Sequence, residues 1–354
     1  MTEHEKLCSR VTEAADCAVI TDDVNRRYFT AMKSSAGTLV VFPEKAYFII
    51  DFRYIEKARK TVTACEVILQ DKLYEQINEL IEKHGAKTVA VNADTCTLSE
   101  LIAYQQKLNA EVIADTKLAE IIREIRTVKS QEQIDKMIKA QRIAEKGFAH
   151  MLDFIKVGRT EKEIQLELDY YMLRNGAEAL SFDTIALSGS NTSLPHGVPS
   201  DKKVESGEFV LMDFGATYDG WHSDMTRTVC VGKPSDKMKS VYETVLTAQL
   251  TALDAVKAGM SGKALDKIAR DIITDAGYGD NFGHSLGHGV GVEIHESPYA
   301  SPSREDILPA NSIVTVEPGI YLEGKFGVRI EDFVVVTENG CINMTKAPKE
   351  LICL

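Results

Sequence analysis

The chain has 354 residues, 44% hydrophobic and 27% charged, a composition that excludes disordered and fibrous classes and fits about two globular domains. Its 41 basic residues face 53 acidic ones, a net charge of −12, which argues against a nucleic-acid partner because phosphate binding rests on clustered Lys and Arg. The polar start MTEHEKLCSR lacks the apolar stretch of a secretory signal, and no run approaches the ~18 apolar residues that suggest a membrane span, so a cytoplasmic chain with no membrane association is expected. Seven cysteines, an odd number with no CxxC pair, fit free thiols in a reducing compartment rather than a disulfide or zinc-finger framework.

In chain order, CAVIT (17–21), TLVVF (38–42), AYFIID (46–51), CEVIL (65–69) and KTVAVN (87–92) read as buried strands. The stretch 72–85 has helical periodicity and stops at Gly85. This alternation predicts an α/β domain over residues 1–125. It holds no dense group of His, Asp and Glu, so it is expected to shape and cover a site rather than carry chemistry. A boundary is expected near 124–130, where a second domain over 126–354 begins. Ser130 and Gln133 fit a capping box that opens a long helix. Ile134, Met137, Ile138, Ile143 and Phe148 form its apolar stripe. Further on, KVGRTEKEI (156–164) resembles KAGMSGKAL (257–265), and Gly158, Lys162 and Gly176 recur as Gly259, Lys263 and Gly277, each 101 residues later. Two related halves would put a site at a pseudo-twofold interface.

Each half then offers a hairpin with two acids. A turn centred on Tyr218 and Asp219 would set Asp213 opposite Asp224, and one centred on Gly324 would set Glu317 opposite Glu331. Two exposed acids at a polar hairpin end are the plain alternative for the first pair. Opposed like charges destabilise a sheet, yet the strands around both pairs are strongly apolar. Buried carboxylates side by side need a cation or a shared proton. Between the hairpins lies GHSLGHGVGVEIHE (283–296), with three histidines. Its glycines do not follow GxGxxG and no GK[ST] occurs, so a phosphate loop is a poor reading. A histidine joining four acids around metal is the economical one, with glycines letting the backbone come close.

These residues resemble the prolyl branch of the pita-bread metallopeptidases, the Xaa-Pro aminopeptidases and Xaa-Pro dipeptidases (prolidases). The resemblance is carried by LPHGVPS (194–200), MDFG (212–215), SDMTRT (223–228), GHSLGHGVG (283–291), EIHESP (293–298), VEPGIY (316–321) and GVRIED (327–332). VNRRYFTAM and FIIDFRY resemble the family's N-terminal domain less strongly. Methionine aminopeptidases share the catalytic fold but typically lack that domain and the GVRIED form, and creatinases work without this metal set. The resemblance implies a creatinase-like α/β N-terminal domain followed by an α+β pita-bread catalytic domain with pseudo-twofold halves.

It further implies that Asp213, Asp224, His288, Glu317 and Glu331 hold two divalent ions, with Asp224 and Glu331 bridging. A carboxylate-rich set with one imidazole suits Mn²⁺, and Co²⁺, Zn²⁺ or Fe²⁺ could also load. Two ions roughly 3.5–4 Å apart would share and acidify a water. The resemblance makes Glu317 the proton shuttle, His284 and His295 catalytic groups contacting substrate near the carbonyl and leaving group, and His196 a substrate-binding group on the product side. Arg329 sits two residues from Glu331, hence on the same strand face. It is expected either to touch substrate or only to balance the acids. Thr226 is expected to hydrogen-bond a ligand carboxylate. His222, Trp221 and Phe182 are read mainly as packing, with Phe182 able to reach a proline ring. The expected substrate is a proline-containing peptide and the expected assembly a homodimer. The alternatives are a non-catalytic peptide-binding protein on the same fold, or an aminopeptidase of other specificity. The sequence leaves open whether dipeptides or longer peptides are cleaved.

Overall fold

Short apolar runs separated by helical segments build the first of two units in the computed structural model, which describes residues 1–354; the units are Met1–Arg126 and Thr127–Leu354. The first unit has strands β1 (Cys17–Ile20), β2 (Thr38–Val41), β3 (Ala46–Ile50), β4 (Glu66–Leu69), β5 (Thr88–Val91) and β6 (Glu111–Ile113). They form one sheet in the order β4-β3-β2-β1-β5-β6, antiparallel at β1–β2–β3 and parallel elsewhere. β1, β2 and β3 are buried along their whole length, as continuous Val/Ile/Leu-rich runs require of a sheet covered on both faces. CEVIL differs from expectation: β4 is an edge strand and half-exposed, because only one side of it finds a partner. Helices α1 (Glu3–Arg10), α2 (Asp23–Thr30), α3 (Ile55–Thr61), α4 (Leu73–His84), α5 (Leu98–Lys107) and α6 (Lys117–Thr127) pack around the sheet. Gly85 ends α4 with φ of 67°, a left-handed position that glycine takes without strain.

The second unit is built twice. Helix α7 (Gln131–Phe154) opens with the Ser130–Gln133 capping box, and α8 (Glu161–Arg174) follows. The second copy has α9 (Asp236–Ala255) and α10 (Gly262–Asp275). Both ends of α8 and α10 lie 101 residues apart, as the faint sequence repeat requires. Strands of the first half are β7 (Ala179–Leu180), β8 (Ile185–Ser188), β9 (Glu208–Phe214), β10 (Ala216–Tyr218), β11 (Trp221–His222) and β12 (Met225–Val231). Those of the second are β13 (Gly287–Gly289), β14 (Glu296–Ala300), β15 (Ile313–Val316), β16 (Gly319–Leu322), β17 (Phe326–Arg329), β18 (Asp332–Thr337) and β19 (Gly340–Asn343). In the first half Met151, Leu168 and Met172 of the helices bury against Val210, Met212 and Val229. In the second, Val245, Leu265 and Ile273 bury against Val314, Val328 and Val334. Each such aliphatic side chain contributes roughly 1.5–3 kcal/mol. Backbone bonds tie the halves together behind the site, with the Glu331 N–H donating to the Thr226 carbonyl at 3.1 Å. Beside them Arg227, 1% exposed, donates to Asp332 at 2.7 Å and to the Glu331 carbonyl at 2.6 Å. Burial would raise the Asp332 carboxyl, but Arg227 and Lys349 hold it below its usual range. No helix is long and apolar enough to cross a membrane.

The two acid-bearing hairpins compare differently with expectation. In the second, Gly319 pairs with Arg329 and Val316 with Asp332, so the turn centres on Gly324 and the register sets Glu317 against Glu331. The first is shifted by two residues. Asp213 faces Thr226, not Asp224, and Tyr218 pairs with Trp221 across an Asp219–Gly220 turn. Asp219 and Gly220 have φ of 49° and 82°, the two positive values a two-residue hairpin turn demands. Asp224 is two residues from Thr226, so it shares that face as a diagonal neighbour of Asp213.

Candidate active site

Strand alternation sends the acids of both hairpins toward one cavity of about 480 Å³. Asp213, Asp224, His288, Glu317 and Glu331 all line it, as do His196, His284, His295 and Arg329. His222 is absent from that wall; its backbone N–H donates to the Gly291 carbonyl at 2.9 Å. Trp221 is a buried packing residue, as expected. Phe182, read from sequence mainly as packing, instead lines the cavity with Ile185, Pro195, Ile294 and Tyr299.

The geometry of the acids is selective. Asp213 Oδ2 accepts from Arg329 Nη2 at 2.6 Å, whereas its Oδ1 is buried without a hydrogen-bond partner. Glu331 Oε2 accepts from Thr226 Oγ1 at 2.8 Å, whereas its Oε1 is likewise buried and unpartnered. Each carboxylate therefore has one oxygen fixed and one bare. A bare buried carboxylate oxygen costs several kcal/mol unless a cation or proton meets it. Asp224, His288 and Glu331 bring ligand atoms within 4.8 Å of one another. Burial, then the charges of Asp213 and Glu317, pushes the Asp224 carboxyl well above the usual range. Burial, then Asp224, does the same to Glu331. Glu317 rises to about 8, burial and Asp213 outweighing the opposing pull of Arg329.

His288 completes the set through its tautomer. Its Nδ1 lies 3.0 Å from the Gly289 carbonyl, an acceptor only, so Nδ1 carries the proton. Burial, then His295, lowers its pKa to about 4, so the ring is neutral at pH 7. Nε2 then turns a lone pair toward Glu317 Oε1 at 3.4 Å and Asp224 Oδ2 at 3.7 Å. A lone pair there repels these carboxylates once they ionise; a divalent ion among them would reverse the sign. Gly287 makes this possible, since a methyl there would strike the Thr315 carbonyl of β15, and Thr315 Oγ1 in turn accepts from the His288 N–H at 3.0 Å. The donor set, the bare oxygens and the neutral imidazole all fit divalent metal.

Arg329 is only 3% exposed and each of its nitrogens has a protein acceptor. Nε donates to Thr226 Oγ1 at 3.0 Å, Nη1 to Tyr321 Oη at 2.7 Å and Nη2 to Asp213. Tyr321 was not singled out from the sequence, where a tyrosine on an apolar strand reads as packing. Its hydroxyl joins Arg329 to His284 Nε2, 2.9 Å away. His284 Nδ1 faces the Ser285 carbonyl at 2.8 Å, so Nδ1 donates and Nε2 accepts from the tyrosine. Burial, then Arg329, lowers His284 to about 4 and keeps it neutral. With both ring nitrogens engaged, His284 presents its ring to the cavity rather than a free N–H. His196 and His295 are more open, and burial lowers the pKa of His295.

Against known proteins, residues 135–338 match Metallopeptidase family M24 and residues 9–128 the Creatinase/Prolidase N-terminal domain. The chain is 45% identical to the uncharacterised peptidase YqhT of Bacillus subtilis, covering 96% of each chain. Its structure is similar to an Xaa-Pro dipeptidase from Bacillus anthracis, with a TM-score of 0.95, 41% identity and 99% of both chains covered. It is also similar to an X-Pro aminopeptidase from Thermotoga maritima, with a TM-score of 0.91, 38% identity and coverage of 96% and 98%. A pita-bread catalytic domain that gathers metal-competent side chains, preceded by a creatinase-type α/β domain, thus belongs to metallopeptidase family M24.

Proposed function

We propose that this metallopeptidase hydrolyses the bond between an N-terminal residue and proline, using two divalent ions held by Asp213, Asp224, His288, Glu317 and Glu331. The observation that carries the metal assignment is the pairing of fixed and bare oxygens on Asp213 and Glu331 around a neutral His288. The specificity is supported by the named activities of the Bacillus anthracis and Thermotoga maritima proteins and by the apolar cavity wall of Phe182, Ile185 and Ile294. Mn²⁺ suits a set of four carboxylates and one imidazole. When bound, the ions would supply Lewis-acid polarisation of the scissile carbonyl and acidify a water.

The chain's own groups do the rest. Arg329 and Thr226 hold Asp213 and Glu331 in orientation, and hydrogen bonds of this kind keep ligand carboxylates from swinging away. Glu317 moves the proton at Oε2, the oxygen that Thr315 does not engage, from the attacking water to the leaving proline nitrogen. His295, at the cavity edge, donates to charge developing on the carbonyl. His196 meets the proline side of the substrate. His284 supports Tyr321 and closes the wall beside Glu317. Arg329 balances charge and orients Asp213, each of its nitrogens serving a protein acceptor. A homodimer in the cytoplasm is part of the same reading.

The test compares metal-loaded and metal-stripped protein on an Xaa-Pro dipeptide, an Xaa-Pro-Yaa tripeptide and an Xaa-Ala control. Metal-dependent turnover confined to the proline substrates is expected, and the dipeptide-to-tripeptide ratio separates dipeptidase from aminopeptidase. Equal cleavage of the alanine control would overturn the proline assignment.

A further inference from the structure

We infer that Glu161 is a positioning residue that sets substrate affinity by clamping the segment that carries His196; this rests on the reading of His196 as a substrate-contacting group. Glu161 is the first residue of α8 and is fully buried. Its Oε1 accepts from the Ser188 N–H at 2.7 Å, Ser188 Oγ at 3.2 Å and Asn191 Nδ2 at 3.0 Å. Its Oε2 accepts from the Ser200 N–H at 3.0 Å and Ser200 Oγ at 2.6 Å. Oε1 thus holds the start of residues 188–200 and Oε2 the end, with Asn191 Nδ2 also donating to Oε2 at 3.2 Å. Between these anchors, Pro195 and His196 stand on the cavity wall. Within the segment Thr192 is buried and accepts from the Gly327 N–H at 2.8 Å, whereas the side chains that flank His196 more loosely, Leu194 and Val198, are 54% and 81% exposed. The exposed stretch around His196 therefore depends on how firmly the two ends are held.

The fold's own repeat shows that this clamp is not a general requirement. The backbone closure at α8, Glu161 N–H to the Lys202 carbonyl, recurs at α10 as Gly262 N–H to the Asp306 carbonyl. The position equivalent to Glu161 is therefore Gly262, which has no side chain, and a methyl there would strike the Tyr299 carbonyl. At this position only the first half carries a carboxylate, and that half's segment presents His196. A buried charge is tolerated only when its lone pairs are met, and here they are met by both ends of one segment.

Glu161→Gln keeps the size but replaces one acceptor oxygen with an amide donor. That donor must face N–H and O–H donors at one end of the segment, so one anchor is released. The test is steady-state kinetics on the metal-loaded protein with an Xaa-Pro dipeptide, for Glu161→Gln, His196→Ala and the double variant, with metal content and circular dichroism measured alongside. Glu161→Gln is expected to raise KM about tenfold while kcat falls less than about threefold, with metal content unchanged. In the His196→Ala background it should add less than about twofold, because both changes remove the same contact. Ser200→Ala, a milder release of one anchor, should raise KM about threefold in the same manner and serves if Glu161→Gln does not fold. Additive effects on KM, an unchanged KM, or a kcat and metal content that fall together would overturn the assignment. If His196→Ala alone leaves KM unaltered, the reading of His196 fails, and this inference falls with it.

Discussion

Removing the metal should make the catalytic unit's stability depend steeply on pH, and the structure gives the sign. Asp224, Glu317 and Glu331 all have carboxyls raised by burial and by the charges of neighbouring acids, Asp213 among them for each. A carboxyl whose folded pKa is raised above its unfolded value favours folding most where it is protonated. That stability is fully present below about pH 4.5 and is lost as pH rises through the folded value, which for Glu317 is about 8. At about 1.4 kcal/mol per tenfold change in proton affinity, Glu317 alone withdraws on the order of 5 kcal/mol across that window. For a domain of this size that is a fall in Tm of roughly 10–20 °C. Bound divalent ions would keep the carboxylates ionised and stabilise the fold by mass action, so the loaded protein should lack the slope. Trp221 is the sole tryptophan and is buried in the catalytic unit, so its fluorescence reports that unit's melting. The assay follows Trp221 melting from pH 5 to 8.5 for stripped and loaded protein. Glu317→Gln should flatten the stripped protein's slope. A stripped Tm that is flat over this range, or one that falls equally in both forms, would show that these carboxyls do not set the pH dependence.

Three further outcomes follow from particular contacts. Thr226→Val removes the 2.8 Å bond to Glu331 and the acceptor for Arg329, and should weaken metal affinity about 10–100-fold in a competitive chelator titration. Gly287→Ala drives a methyl into the Thr315 carbonyl and displaces the loop at His288; thermal denaturation should report a loss of about 1–3 kcal/mol and metal analysis a weakened site. His288→Ala should lose metal in the resting protein, whereas His284→Ala and His295→Ala should keep it, with His295→Ala lowering kcat/KM roughly 10²–10³-fold. Loss of metal in all three would mark a multi-histidine site and contradict the carboxylate-dominated set.

Much of the site was legible because strand alternation and hairpin register are arithmetic. The second hairpin turns on a single glycine, Gly324, and its register follows directly. The first was misread by two residues although its Asp219–Gly220 pair is a strong two-residue turn signal. The error moved Asp224 from opposite Asp213 to a diagonal position without changing its face, so the cluster survived it. The repeat was faint in residue identity, yet it fixed the ends of α8 and α10. What the sequence could not supply was commitment. Arg329 could be placed on the acids' strand face, but its bonds to Thr226, Tyr321 and Asp213 depend on three separate segments meeting it. Tyr321 carried no signal, because its role depends on Arg329 and His284 meeting it from separate segments. Glu161 carried no signal of its own, because its burial depends on a loop that returns 27 to 39 residues later.

Whether five side chains from two related halves hold two ions that turnover requires is decided by metal analysis during stepwise reloading of stripped protein, with Xaa-Pro hydrolysis followed on the same samples. Binding should saturate at two divalent ions per chain, activity should rise with loading, and Asp224→Asn should lose both binding and turnover with the fold intact. Full turnover in a verified metal-free sample, or unaltered metal content in Asp224→Asn, would rule out the five-residue site.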